Sequence, residues 1–166
     1  MISLGCRGLG IIFNLDLNSQ QKLFNFGAHL GIAFQVHDDI LDFTQDSAML
    51  GKPAFNDVKE GIITAPLIYA LLDLRSQGRI EEFRALNRMI LSKFSNKEQD
   101  VPEGVRLLFD SCGIELADQL SIEHIEAGLE SLLDLEYPDG LKMVSEEEKF
   151  TQGLVGLALK VKTRKY

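Results

Sequence analysis

The chain has 166 residues and is 45% hydrophobic, a size at which one globular unit buries ~70% of its unfolded surface. Its 17 Lys and Arg against 25 Asp and Glu leave a formal net charge of −8, which argues against a general binder of nucleic acid or anionic membrane. Cys6 and Cys112 are the only cysteines; they form no zinc or redox motif, and neither a secretory leader nor an apolar run of membrane-spanning length is expected.

In chain order, residues 1–13 are apolar and small, with Gly5, Gly8 and Gly10. No strand precedes them and no Lys-Ser or Lys-Thr follows, so a phosphate loop is a poor reading. A helix whose glycines admit a close neighbour fits better. Residues 14–18 read as a loop, with Asn18 or Ser19 capping a long helix over 19–43. Leu23, Phe26, Leu30, Phe34, Ile40 and Leu41 give that helix its apolar surface, and His29 reads as a packing or hydrogen-bonding residue.

Near the end of this helix stand Asp38, Asp39 and Asp42. Asp38 and Asp42 are i,i+4 neighbours, Asp39 is i,i+3 from Asp42, and Gln35 lies one turn earlier, so the three carboxylates can share one face. At ~6 Å and an effective dielectric of ~20, each pair repels by roughly 3 kcal/mol. Two readings stay open. The acids form a solvated patch, or they share a cation, for which hard oxygen ligands suit Mg²⁺ with a substrate phosphate. Ile32, Phe34, Val36, Ile40, Leu41 and Phe43 make the helix apolar nearly all round, which favours a buried or cavity-lining position.

Residues 45–60 read as a polar connection that carries Gly51-Lys52-Pro53, Asp57 and Glu60. Lys52 is either a turn lysine or a point charge that reaches back to a phosphate. Thr64 and Pro66 mark the start of a helix over 64–74. Residues 78–94 form a helix with a solvated charged face, 95–100 a linker, and Pro102 opens a helix that ends near Cys112-Gly113. Residues 114–135 form another helix, whose acidic outer face lacks the tight pairing of a metal site. Tyr137 to Gly140 is a turn. A last helix starts with acids near Glu146, and Lys160, Lys162, Arg164 and Lys165 lie at its negative end. No segment alternates as a strand does, so the fold class is all-α.

Phe34-Gln35, then Asp38-Asp39-x-x-Asp42, Gly51-Lys52-Pro53, Asp57 and Thr64-x-Pro66 together closely resemble the second aspartate-rich region of trans-isoprenyl diphosphate synthases. The likeness continues more loosely through Phe94-Ser95, residues 111–114 and Thr163-Arg164. Many members carry a lysine after Glu-Gly where this chain has Ile62, and an aliphatic residue there points to the long-chain polyprenyl branch. The family's first aspartate-rich motif has no counterpart here. The resemblance therefore implies that residues 1–166 are a single all-helical unit, the C-terminal half of a polyprenyl diphosphate synthase with a helical bundle of the isoprenoid synthase type.

For the whole enzyme the resemblance implies Mg²⁺-dependent condensation of isopentenyl diphosphate with an allylic prenyl diphosphate. Asp38, Asp39 and Asp42 would be metal ligands, with Asp38 a direct one. Lys52 would hold the diphosphate, Phe34 and Gln35 would border the substrates, and Arg164 would close over the site. The departing diphosphate can take the proton. The same resemblance implies a homodimer or a heteromer, no nucleic acid, and a mitochondrial or cytoplasmic location. Ile62 and the absent first motif support the alternative of a non-catalytic partner subunit in a heteromeric synthase. A purely structural helical bundle is the third reading.

Overall fold

The computed structural model describes residues 1–44, 55–133, 135, 153, 156–158, 160 and 161. Among them every regular element is an α-helix: α1 (Ile2–Ile12), α2 (Leu17–Thr44), α3 (Asn56–Glu60), α4 (Ala65–Ser76), α5 (Ile80–Leu91), α6 (Lys97–Phe109) and α7 (Gly113–Glu130). Residues 156–158 and 160–161 are also helical. No described helix is long and apolar enough to cross a membrane.

Among the described residues the expected helices form, and their ends differ for local reasons; the turn expected at 137–140 and the start of the last helix near 146 lie outside the described residues. The long helix starts at Leu17, because Asp16 takes the capping role expected of Asn18 or Ser19. Its carboxylate accepts the backbone N–H of Asn18 at 2.7 Å and of Ser19 at 3.0 Å, and the Ser19 hydroxyl at 2.6 Å. The helix expected from Pro102 starts earlier, at Lys97, with Pro102 inside it. Asn96 opens it: its C=O accepts the Asp100 N–H at 2.7 Å, and its own N–H donates to Asp100 Oδ2 at 3.1 Å. α4 does begin after Thr64 with Pro66 in its first turn, but the Thr64 hydroxyl makes no capping bond. Among its described residues, 55–60, the polar connection carries the short helix α3.

Two compact units divide the chain. The first comprises residues 1–35 and 121–165. Its core joins Cys6, Leu23, Phe26, Leu30 and Ala33 to Ile125, Leu132, Ala158 and Val161. Of the glycines of α1, Gly10 admits a close neighbour as expected, since a Cβ there would lie 3.1 Å from both Gln20 Cγ and Leu23 Cδ1 of α2, and Gly27 of α2 meets α1 more tightly still. A Cβ on Gly27 would lie 2.7 Å from Ser3 Cα and 2.9 Å from Cys6 Sγ, whereas Gly5 and Gly8 have nothing within 4 Å. The buried Ser121 hydroxyl donates to the Ala33 carbonyl at 3.2 Å. α1 also leaves an apolar face in solvent, with Leu4 65% and Ile12 73% exposed.

The second unit comprises residues 36–120 and 166. Phe43, Val58, Leu67, Leu74, Leu86, Phe94 and Leu107 form its main core. Val36, Ile40 and Ala117 form a smaller cluster with Ala65 and Tyr69 at its edge. α2 thus reaches both cores, and its acidic segment lies wholly in the second.

Candidate metal and diphosphate site

Alternation of buried and polar positions places the aspartates. Val36, Ile40, Leu41 and Phe43 are buried, which leaves Asp38, Asp39 and Asp42 half-buried between them. Of the two positions expected for this helix, buried or cavity-lining, full burial is not found: Ile32 is 44% exposed and Gln35 is exposed.

Asp42 is fixed by α3. Its Oδ1 accepts the Asn56 N–H at 3.1 Å, and its Oδ2 accepts the Asp57 N–H at 3.2 Å. The Phe55 N–H donates to the Asp42 carbonyl at 3.3 Å. Phe55 stands in the left-handed region, at φ 60°, and its ring sits 6.2 Å from that of Phe43. The first N–H groups of a helix have no partner within it, so a carboxylate that accepts two of them acts as a cap supplied from another element. Bonds of this kind to a charged acceptor contribute roughly 1.5–3 kcal/mol.

This capping separates the three acids. Among the described residues, no three His, Cys, Asp or Glu side chains are arranged to hold a metal ion. Neighbouring residues on a helix project about 100° apart, which directs Asp38 and Asp39 differently, and Asp42 is turned onto α3. The convergence of all three, open to the sequence, is not the arrangement found. It is still a donor set that Mg²⁺ can use, because that ion keeps several waters and takes one or two carboxylates together with substrate phosphates.

The structure adds residues that spacing alone did not assign a task. Asn56 and Asp57 bring the start of α3 to Asp42, and Asp57 adds a fourth acidic residue at that point. The signal was present in the motif, where Asp57 is one of the matched positions. Ile62 is 46% exposed, an aliphatic side chain in solvent where many relatives of this sequence type would offer a charge. In the first unit, Phe34 lines an apolar cavity of about 350 Å³ with Ile2, Leu30, Leu157 and Val161, and Lys160 lines it as well. Sequence reading gave Lys160 only a helix-end role. Lys52 and Arg164 lie outside the described residues.

The family model described as Polyprenyl synthetase matches residues 1–108. A prenyl transferase of Cyanidium caldarium is 34% identical over 135 residues, which is 81% of this chain and 39% of that protein. The solved apo form of an Arabidopsis medium/long-chain length prenyl pyrophosphate synthase superposes with a TM-score of 0.77 at 30% identity, over 98% of this chain and 50% of that one. A geranylgeranyl pyrophosphate synthase from Corynebacterium glutamicum, solved with isoprenyl diphosphate and magnesium, superposes with a TM-score of 0.67 at 27% identity, over 90% of this chain and 39% of that one. The chain thus spans half or less of the length of these relatives. By the family model and by this identity, it belongs to the polyprenyl synthetase family, the trans-isoprenyl diphosphate synthases that its motif resembles.

Proposed function

We propose that this chain supplies the second aspartate-rich half of a polyprenyl diphosphate synthase, a Mg²⁺-dependent enzyme that joins isopentenyl diphosphate to an allylic prenyl diphosphate. The observation that carries the reading is the Asp38-Asp39-x-x-Asp42 segment of α2 clasped to α3 through Asp42. It places hard oxygen donors of the matched motif beside the backbone that follows them.

In this reading Asp38 is the direct metal ligand, Asp39 supports it, and Asp42 keeps the end of α2 and the start of α3 in register. Bound Mg²⁺ supplies charge stabilisation for the leaving diphosphate. Lys52 holds that diphosphate, Arg164 closes over it, and Phe34 and Gln35 border the substrates. The diphosphate that departs takes the proton lost from the product. Assembly as a homodimer or heteromer belongs to the same proposal, supported by the exposed apolar face of α1.

The test is product formation from isopentenyl and farnesyl diphosphates with Mg²⁺, by this chain and by a version extended upstream through its gene. Activity in the extended version, reduced by ~10²-fold or more in Asp38→Asn, is the expected result. Unchanged turnover in that variant would falsify the ligand assignment.

A second reading, a non-catalytic subunit of a heteromeric synthase, is favoured by exposed Ile62. Its mark is turnover that appears only when a partner subunit is added and that survives Asp38→Asn in this chain.

A further inference from the structure

α3 has five residues, too few to hold a helix by themselves. It is gripped at both ends and in the middle. Asp42 takes its first N–H groups. Val58 is fully buried in the second unit's core. At its far end Gly61, at φ 74°, closes the helix against the backbone of Lys93, where a Cβ would lie 2.8 Å from the Lys93 carbonyl oxygen.

The segment that meets Gly61 is itself unusual. Lys93 and Phe94 both stand at φ 52°, two consecutive L-residues in the left-handed region, a conformation that only glycine visits freely. The Lys93 N–H bonds to the Ile90 carbonyl at 2.9 Å and the Phe94 N–H to the Met89 carbonyl at 2.8 Å. The Phe94 ring is fully buried and seats over Gly104, where a Cβ would stand 2.5 Å from Phe94 Cε1. The buried ring holds the turn, and the turn aims the Lys93 carbonyl at Gly61.

We propose that this turn is a brace for the metal-ligand segment, with Phe94 and Gly61 as positioning residues that fix α3 and, through its first N–H groups, the Asp42 carboxylate. The inference rests on the metal-ligand reading given above. A helix cap serving only α5 would use the same two backbone bonds, but it would not bring the Lys93 carbonyl against the end of α3; Gly61 is required at φ 74° by the α3 cap itself, so Phe94→Leu is the variant that separates the two. The brace predicts an effect at Asn56 and Asp57, on the far side of α3 from the turn.

The experiment uses the full chain and two readouts: hydrogen exchange at the Asn56 and Asp57 amides, and calorimetric binding of Mg²⁺ with inorganic pyrophosphate. Gly61→Ala and Phe94→Leu are expected to speed exchange at both amides by about tenfold or more, with the Leu107 amide in α6 unchanged, and to weaken binding several-fold. Lys93→Gly takes the same φ and keeps the carbonyl, so it is expected to leave both readouts as in the parent. Phe94→Leu keeps an apolar filler and carries the test if Gly61→Ala does not fold. Asn56 and Asp57 amides that stay protected in both variants, or binding that stays intact, would overturn the brace. Asp38→Asn separates the two ideas: if it leaves pyrophosphate binding unchanged, the metal-ligand reading fails and the brace has no site to position. If it abolishes binding while Gly61→Ala does nothing, only the brace fails.

Discussion

The Asp57 backbone N–H donates to Asp42 Oδ2 at 3.2 Å, fifteen residues along the chain. With the Asn56 N–H on Oδ1, this engages both carboxylate oxygens. An amide at 42 keeps one acceptor and turns an NH₂ group toward the other N–H. A methyl removes both acceptors. Asp42→Ala is therefore expected to lower stability by about 1–3 kcal/mol and Asp42→Asn by less, because an unmet N–H carries the larger penalty. Urea denaturation of the three proteins checks the order. Equal midpoints for Asp42→Ala and the parent would show that the clasp is not formed.

Glycines in the first unit make opposite expectations. A Cβ on Gly27 meets Ser3 Cα at 2.7 Å, which is backbone and cannot swing away. Gly27→Ala is expected to destabilise by about 1–3 kcal/mol through overpacking. Gly5→Ala places its methyl where nothing lies within 4 Å, inside a helix, and is expected to stabilise by roughly 0.5–1 kcal/mol. Thermal melts of both variants decide the matter, and a shift of the same sign in each would refute the packing of α1 against α2.

The contrast between those glycines shows what the sequence could and could not disclose. Helical spacing revealed the helices and their apolar faces, because burial imposes a period that local residues carry. It also marked α5 as solvated on one side: the Arg84–Glu81 pair is exposed at 69% and 85% of its side chains. Which glycine meets a neighbour depends on the helix that arrives there, so of the α1 glycines only Gly10 packs against α2, and Gly27 carries no local signal of its contact. Asp16 was overlooked as a cap since Asn18 and Ser19 satisfy the same residue preference two and three positions later. The aspartate motif was legible in order and spacing. That Asp42 spends its oxygens on α3 was not, because the contact is set by a left-handed Phe55 that no local preference announces.

Titration gives the last expectation. His29 Nδ1 and His124 Nδ1 lie 2.8 Å apart, between α2 and α7 of the first unit. At that distance one nitrogen carries the proton and the other accepts it. When both rings are protonated, two N–H groups face each other. Burial, and then the charge of His29, lowers the His124 pKa below its ordinary value, while neighbouring Glu123 opposes the shift. An unfolded histidine titrates near ~6.5, so below that pH the unfolded chain binds more protons at this position than the folded one. His124's contribution is then complete above the unfolded value and declines as pH falls through it toward the lower folded value. Stability measured by urea is expected to drop as the pH falls through about 6.5, the ordinary histidine value. His124→Gln retains an amide that can bond to His29 and does not titrate, so the drop should shrink in that variant. A pH slope identical to that of the parent would place the titrating group elsewhere and leave the histidine contact without a role in acid sensitivity.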